Sequence, residues 1–220
     1  YPLIDGVVQD CPHLLLEPSR TNYLSYSNDV SGYTNFGSTD SANQTISPDG
    51  SQNASLVQGD GSQIQVFLAS QYITLPSAGS YTISMFAKKG NNNFAQLSVD
   101  AFTGATNTLA YFDLENGTTP TSGANIENYG NGWYKCSTVV TIDSGDLTGR
   151  IAFRVVPSSS SFLFSSTSEA QGKNVYIYGF QMEAGSYPTS YIPTSGSAVT
   201  RSADACNGSG TSAEFNDSEG

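Results

Sequence analysis

The chain has 220 residues, only 12% of them charged, and a formal net charge of −11. That length is one large β domain or two small ones and can bury a sizeable core, so neither a metal nor a disulfide is obligatory for folding. The acidic balance excludes nucleic acid, whose phosphates need a basic footprint, and no apolar run of about eighteen residues is present to insert in a membrane.

In chain order the apolar period is two, not 3.6. Residues 1–12 read as an extended lead-in. Weak strand patterns follow at Leu14–Leu16, Ser55–Val57 and Ile64–Ile73, with a turn or two of helix expected near Asn28–Tyr33. Strong alternation marks Tyr81–Lys88, Phe94–Asp100, Leu109–Leu114, Trp133–Ile142, Ile151–Val156 and Val175–Met182. Between them lie SPDGSQN, LPSAGS, KKGNNN, ENGTTPTSG and DSGDLTG, turn-forming because Gly and Asn tolerate positive φ and Pro presets a corner. About eight to ten short strands at this spacing predict an all-β, two-sheet antiparallel sandwich of jelly-roll type over 13–204. Residues 205–220 then form a linker or the start of a truncated following domain, and both ends read as cuts inside a longer polypeptide.

Alternation sorts residues by face. Ile83, Met85, Leu97, Val99, Phe112, Leu114, Tyr134, Cys136 and Phe153 are expected in one core. Opposite the core fall Phe86, Lys88, Gln96, Ser98, Asp100, Trp133, Lys135 and Arg154, expected to line one shallow, open surface. Flat aromatics stack on the apolar faces of sugar rings, while amides, hydroxyls and cations hydrogen-bond to sugar hydroxyls, so this set is the candidate carbohydrate-binding site. The competing reading is that Phe86, Phe94 and Trp133 cover core edges near strand ends.

Nothing points to catalysis. A glycosidase needs two carboxylates at a fixed separation, yet of the acidic residues only Asp100 and Asp113 lie in strong strand patterns. No nucleophile or zinc motif occurs, so no catalytic residue is assigned. Five N-x-S/T sequons, at Asn43, Asn53, Asn116, Asn207 and Asn216, read as accidents of an Asn- and Ser-rich chain. His13 has no cluster around it, and Cys136 reads as a buried free thiol. Cys11 and Cys206 flank the patterned region, and their pairing depends on whether the fold brings the termini together.

LLLEPSRTNYLSYSND, YTISMFAKKG, NGWYKCSTVVT and VYIYGFQMEAGSYPTSYIPTSGSAVTRSAD occur in this order. The set resembles the carbohydrate-binding-like β-sandwich domains of bacteriophage virion proteins, chiefly tail fibres, which are similar to the jelly-roll carbohydrate-binding modules attached to polysaccharide-degrading enzymes. It covers about Cys11 to Asp204, and the tail NGSGTSAEFNDSEG looks like the opening of a lectin-like sandwich. The resemblance implies non-catalytic recognition of host-surface or environmental polysaccharide, on a virion appendage or otherwise extracellular. Within the candidate set it supports Phe86, Lys88 and the Gly132–Tyr134 motif. It also raises a structural calcium where the first and last strands meet, with ligands unknown; no other cofactor is expected. Two alternatives stay open, an accessory module of a polysaccharide-degrading enzyme and a structural spacer or trimerising unit of a fibre. The partners implied are a glycan, other domains of a longer chain and, for a fibre, two further copies in a homotrimer.

The closing ribbon has a physical reading. In a jelly roll the last strand lies near the first, so Leu14–Glu17 should neighbour Tyr176–Glu183, and Arg20 should approach Glu183. Pro188 and Pro193 cannot donate ladder hydrogen bonds. The chain therefore leaves the sheet extended, and Tyr187, Tyr191 and Ile192 are expected along the sandwich edge.

Overall fold

The computed structural model describes residues 16–106 and 108–205, together with the backbone of two short strands near the N-terminus. Those two are β1 (Leu3–Ile4) and β2 (Val7–Val8), an antiparallel pair. Next come β3 (Arg20–Asn22), β4 (Thr34–Phe36), β5 (Ser38–Ile46), β6 (Gln52–Gly59), β7 (Val66–Ala69) and β8 (Ile73–Thr74). The central strands are β9 (Gly79–Lys89), β10 (Phe94–Asp100), β11 (Leu109–Asp113), β12 (Ala124–Gly130), β13 (Trp133–Ile142) and β14 (Thr148–Val156). A single helical turn, α1 (Thr167–Ala170), precedes β15 (Asn174–Ala184) and β16 (Val199–Arg201).

The strands form an antiparallel β-sandwich of the jelly-roll kind. The first sheet has the order β12-β13-β9-β15-β6-β5, and the second β11-β10-β14-β7-β4, with β8 also on β14. Between them lies one apolar core in which Tyr81, Ile83 and Met85 of the first sheet meet Leu97, Phe112 and Phe153 of the second. The core expected from alternation is the core found: Val99, Leu114 and Cys136 are buried in it, and Tyr134 packs against it half-buried. Burial pushes the Cys136 thiol up, which leaves it an inert packing group.

Three features depart from the sequence reading. No helix forms at 28–33, where a turn is closed by the Tyr33 amide donating to the Val30 carbonyl. Helix appears at Thr167–Ala170 instead, because Ser166 caps the Glu169 amide and the Glu169 carboxylate returns to the Ser165 amide. The polar strands β5 and β12 were not expected, since each is a sheet edge exposed along most of its length and carries no apolar alternation. His13, Cys11, Cys206 and most of the Leu14–Leu16 segment lie outside the described residues.

The termini of the fold do meet. β3 pairs with β16, and the Tyr23 amide just after β3 donates to the Met182 carbonyl, so β3 lies beside the end of β15. Arg20 approaches Glu183 at 3.7 Å, and the Glu183 side chain is fully buried.

Candidate functional site

The eight residues expected on one open surface occupy two surfaces. Phe86 and Lys88 sit on β9, and Trp133 and Lys135 on β13, all on the outer face of the first sheet. Gln96, Ser98 and Asp100 on β10 and Arg154 on β14 lie on the outer face of the second. Alternation placed each residue opposite the core correctly. It carried no information on sheet membership, which long-range pairing decides.

The outer face of the first sheet is not open. After Gly185, whose φ of 126° suits glycine and where a Cβ would stand 2.9 Å from the Arg20 guanidinium, the chain turns back over this face. The side chains of β15 bind it there. Glu183 accepts from the Thr189 amide at 2.8 Å and the Thr189 hydroxyl at 2.7 Å, and the Gln181 carbonyl oxygen accepts from the Ile192 amide at 2.7 Å. From β13, Lys135 donates to the Thr189 carbonyl at 2.8 Å. Asn22 donates to the carbonyls of both Phe180 and Ile192, which ties the ribbon to β3. Tyr191 lies against Tyr178 and hydrogen-bonds to Ser27.

Phe86 and Trp133 are therefore 6% and 2% exposed, and Lys135 is 8% exposed. Phe86 packs edge-on against Tyr129, and the Trp133 indole donates to the Ile46 carbonyl at 3.0 Å. Burial lowers the Lys135 pKa, with Glu127, Glu183 and Glu17 offsetting part of the effect. None of these three side chains has a surface to offer a sugar. Lys88 is half-buried at a depression it shares with Ile46, Tyr129 and Trp133. The ribbon is thus a cover for a sheet face rather than an edge strip; Ile192 is buried in it and Tyr187 stays half exposed.

The outer face of the second sheet meets solvent at Phe36 and Tyr72, while Gln96 and Ser98 are buried in it at 2% and 4% exposed. Gln96, Arg154, Phe67 and Phe36 form a row across β10, β14, β7 and β4. The Phe36 and Phe67 rings stack at 4.3 Å with planes 13° apart. Arg154 lies over Phe67 at 4.8 Å, and Arg150 over Phe36 at 5.7 Å and Tyr72 at 5.4 Å. Arg154 donates to the Gln96 side-chain oxygen at 3.2 Å and to the Ser98 hydroxyl. Asp100 stands 3.6 Å from Arg154 and 3.9 Å from Arg150, which is ion-pair range but too long for hydrogen bonds. The Arg150 guanidinium donates to no described residue, and Nε of Arg150, Nε of Arg154 and Nε2 of Gln96 are buried without a partner.

Two depressions flank this row. One, of about 220 Å³, runs from Gln96, Ser98 and Arg154 to the half-exposed Leu109 and Phe162. The other, of about 550 Å³, lies beyond Phe36 and Phe67 and is lined by Asn35, Gln65 and Asp60. Sequence reasoning missed Phe36, Phe67, Tyr72 and Arg150. Phe67 and Arg150 carried a usable signal, since each alternates with core residues (Val66 and Leu68; Ile151). Phe36 sits in a three-residue strand and Tyr72 in a connection, where no periodicity exists to read.

A calcium at the junction of first and last strands does not fit the residues present. There the Glu17 carboxylate is taken by the Arg201 guanidinium and the Ser190 amide, and Asp204 accepts from the Glu17 amide. Among the described residues no three His, Cys, Asp or Glu side chains converge. No helix of the described residues is long and apolar enough to cross a membrane.

No family model and no curated protein matches this chain. Among solved structures it is similar to the carbohydrate-binding module CBM6cm-2 of lichenase 5A from Cellvibrio mixtus, in complex with cellotriose, at 11% identity over 75% of this chain and 96% of that one, with a TM-score of 0.38. It is similar to the enzymatically active domain of bacteriophage CBA120 tailspike protein 4, at 13% identity over 73% of this chain and 21% of that one, with a TM-score of 0.44. The CBM22-1–GH10 modules of xylanase 10B from Clostridium thermocellum, complexed with xylohexaose, give 15% identity over 81% of this chain and 30% of that one, with a TM-score of 0.41. The chain spans well under two thirds of the tailspike and xylanase chains. At such identities and scores these likenesses bear no weight for the site, which stands on this chain's own residues.

Proposed function

We propose that the outer face of the second sheet holds a polysaccharide without catalysing its cleavage, and that the domain serves as a carbohydrate-binding module of a bacteriophage virion appendage such as a tail fibre. One observation carries the binding role. The guanidiniums of Arg150, which donates to no described residue, and of Arg154 lie beside the rings of Phe36, Phe67 and Tyr72, with Phe36 and Tyr72 exposed to solvent. A partly exposed guanidinium with a free N–H gains a charge-assisted hydrogen bond when a ligand oxygen arrives. The rings supply apolar contact for sugar C–H faces. Depressions on both sides of the row suit internal units of a polymer rather than a chain end.

The absence of catalysis in this proposal follows the residue types. Arg, Gln, Ser and aromatics make up the row, and its acidic member, Asp100, is flanked by two guanidiniums, whereas glycoside hydrolysis requires paired carboxylates across the scissile bond. The virion role is supported by the ordered segments that resemble phage appendage domains, of which the 181–204 ribbon is the most specific. A shallow site of this kind binds on the order of micromolar to millimolar, so repetition in a homotrimer or along a fibre would supply avidity.

Affinity electrophoresis through gels containing a panel of polysaccharides tests the binding role. At least one polymer should retard the intact chain, and Tyr72→Ala and Phe36→Ala should lose the retardation with little change in melting temperature. Failure of every polymer to retard the intact chain would falsify the proposal.

A further inference from the structure

We infer that the saccharide held over Arg150 and Arg154 is acidic, its carboxylate or sulfate lying against the two guanidiniums; this rests on the carbohydrate-binding reading above. The inference comes from where the chain's few cations go. Of eight basic residues, Arg20 faces Glu183, Lys89 pairs with Glu115, Arg201 pairs with Glu17, Lys135 is capped by the Thr189 carbonyl, and Lys88 and Lys173 stand apart from one another as half-buried single charges. Arg150 and Arg154 instead share one carboxylate, Asp100, and neither is hydrogen-bonded to it. Two cations against one anion leave this strip with one net positive charge, in a protein whose net charge is −11.

The positioning of the guanidiniums is specific. Arg150 lies over Phe36 and Tyr72, and Arg154 over Phe67, so aromatic rings occupy guanidinium faces. What stays available is chiefly the edge of Arg150, which donates to no described residue, since Arg154 already donates to Gln96 and Ser98; a guanidinium edge matches a carboxylate or sulfate two-pronged. The side chains of Arg150 and Arg154 are only 21% and 14% exposed. A cation so far removed from water gains more from an anionic acceptor than from a sugar hydroxyl, because the opposite charge adds Coulomb attraction that partial desolvation strengthens. Surface attraction in general cannot account for such binding, since the protein as a whole repels polyanions. Asp60 lines the far depression, so the acidic unit belongs over Arg150 and Arg154 and neutral units beyond the ring stack.

The test compares retention of the intact chain by polygalacturonate, dextran sulfate and neutral dextran, with folding of every variant checked by thermal melting. At least one acidic polymer should bind about tenfold more tightly than dextran, and the two acidic arms decide between carboxylate and sulfate. Arg150→Gln should weaken acidic binding about ten- to hundredfold. Asp100→Asn raises the strip from one net positive charge to two and should strengthen acidic binding relative to dextran. The second variant keeps the test decisive if Arg150→Gln does not fold. Equal retention of acidic and neutral polymers, or acidic binding untouched by both variants, overturns the inference and leaves carbohydrate binding standing. Retention of no polymer removes both.

Discussion

On the first sheet Phe86, Lys135 and Tyr178 stand in one cross-strand row, closed over by the ribbon that follows β15. On the second, Arg154, Phe67 and Phe36 stand in a comparable row and meet solvent. Both rows mix aromatics with a cation opposite the core, and they differ in what completes them. Around the first row, Gln181, Glu183 and Lys135 find their partners in the ribbon at Thr189 and Ile192. In and beside the second, Nε of Arg150, Nε of Arg154 and Nε2 of Gln96 have no partner, although Nη1 of Arg154 donates within the row to Gln96 and Ser98. A mixed polar and aromatic face is therefore not itself a binding signature, because such a face can be the seat of the chain's own strap. The discriminating property is whether the chain covers the face: the ribbon lies over Phe86 and Lys135, whereas Phe36 and Tyr72 stay exposed.

The contrast can be broken most forcefully at Trp133 and Phe86. Both are buried, so Trp133→Ala and Phe86→Ala should each cost about 3–5 kcal/mol in denaturant unfolding while the folded fraction keeps its polysaccharide retention. The sequence reading expects the reverse, lost binding at unchanged stability. Next comes Glu183→Ala, which leaves Arg20 and the Thr189 donors without their carboxylate. It should cost about 3 kcal/mol, the lower end for a broken buried pair because Arg20 keeps some contact with water. Limited proteolysis of that variant should cut within 186–198, which the intact ribbon resists.

Tyr191→Phe tests the same strap more gently. Loss of its hydrogen bond to Ser27 should cost about 1 kcal/mol at neutral pH. Burial pushes the Tyr191 phenol up to about 12, against a lowering by Ser27, and burial raises Tyr33 and Tyr178 as well. An unfolded phenol ionises near pH ~10. From there to about 12 the unfolded chain has released a proton that folded Tyr191 still holds, so stability is full below the window and falls as pH rises through it. Lys135, lowered by burial, acts with the opposite sign, but only up to the ordinary lysine value of about 10.4. Chemical denaturation at successive pH values should show a steep alkaline loss above that point, shallower in Tyr191→Phe. The smallest effect is expected at Tyr72, exposed on the open face. Tyr72→Ala should change stability by less than about 1 kcal/mol, since only its contact with Arg150 is lost.

Period-two alternation made the sandwich legible because its central strands are half-buried in the manner the pattern assumes. Phe94–Asp100 and Trp133–Ile142 were bounded to the residue, and every expected core side chain lies in the core or against it. The edges were not legible. Ser38–Ile46 is held by its ladder to β6 and presents mostly exposed polar side chains, so its sequence resembles a loop. Half of the candidate site was readable, namely Gln96, Ser98, Asp100 and Arg154, whose strands are adjacent in one sheet. Lys135 and Trp133 could not be recognised as covered, because their partners Thr189 and Ile46 lie 54 residues downstream and 87 upstream, at separations that leave no local pattern. The pairing of Arg20 with Glu183 was legible, since it needs only that the first and last strands be neighbours.

The central claim is that glycan binds the open face and leaves the covered one alone. Titration of an isotope-labelled chain with oligosaccharides of whichever polymer retards it in affinity electrophoresis, followed by backbone amide chemical shifts, addresses this directly. Shifts should concentrate in β10, β14, β7 and β4, centred on Gln96, Arg150, Arg154 and Phe67, with 84–88 and 133–137 unmoved. Shifts concentrated at Phe86, Trp133 and Lys135, with the second sheet silent, would contradict the account.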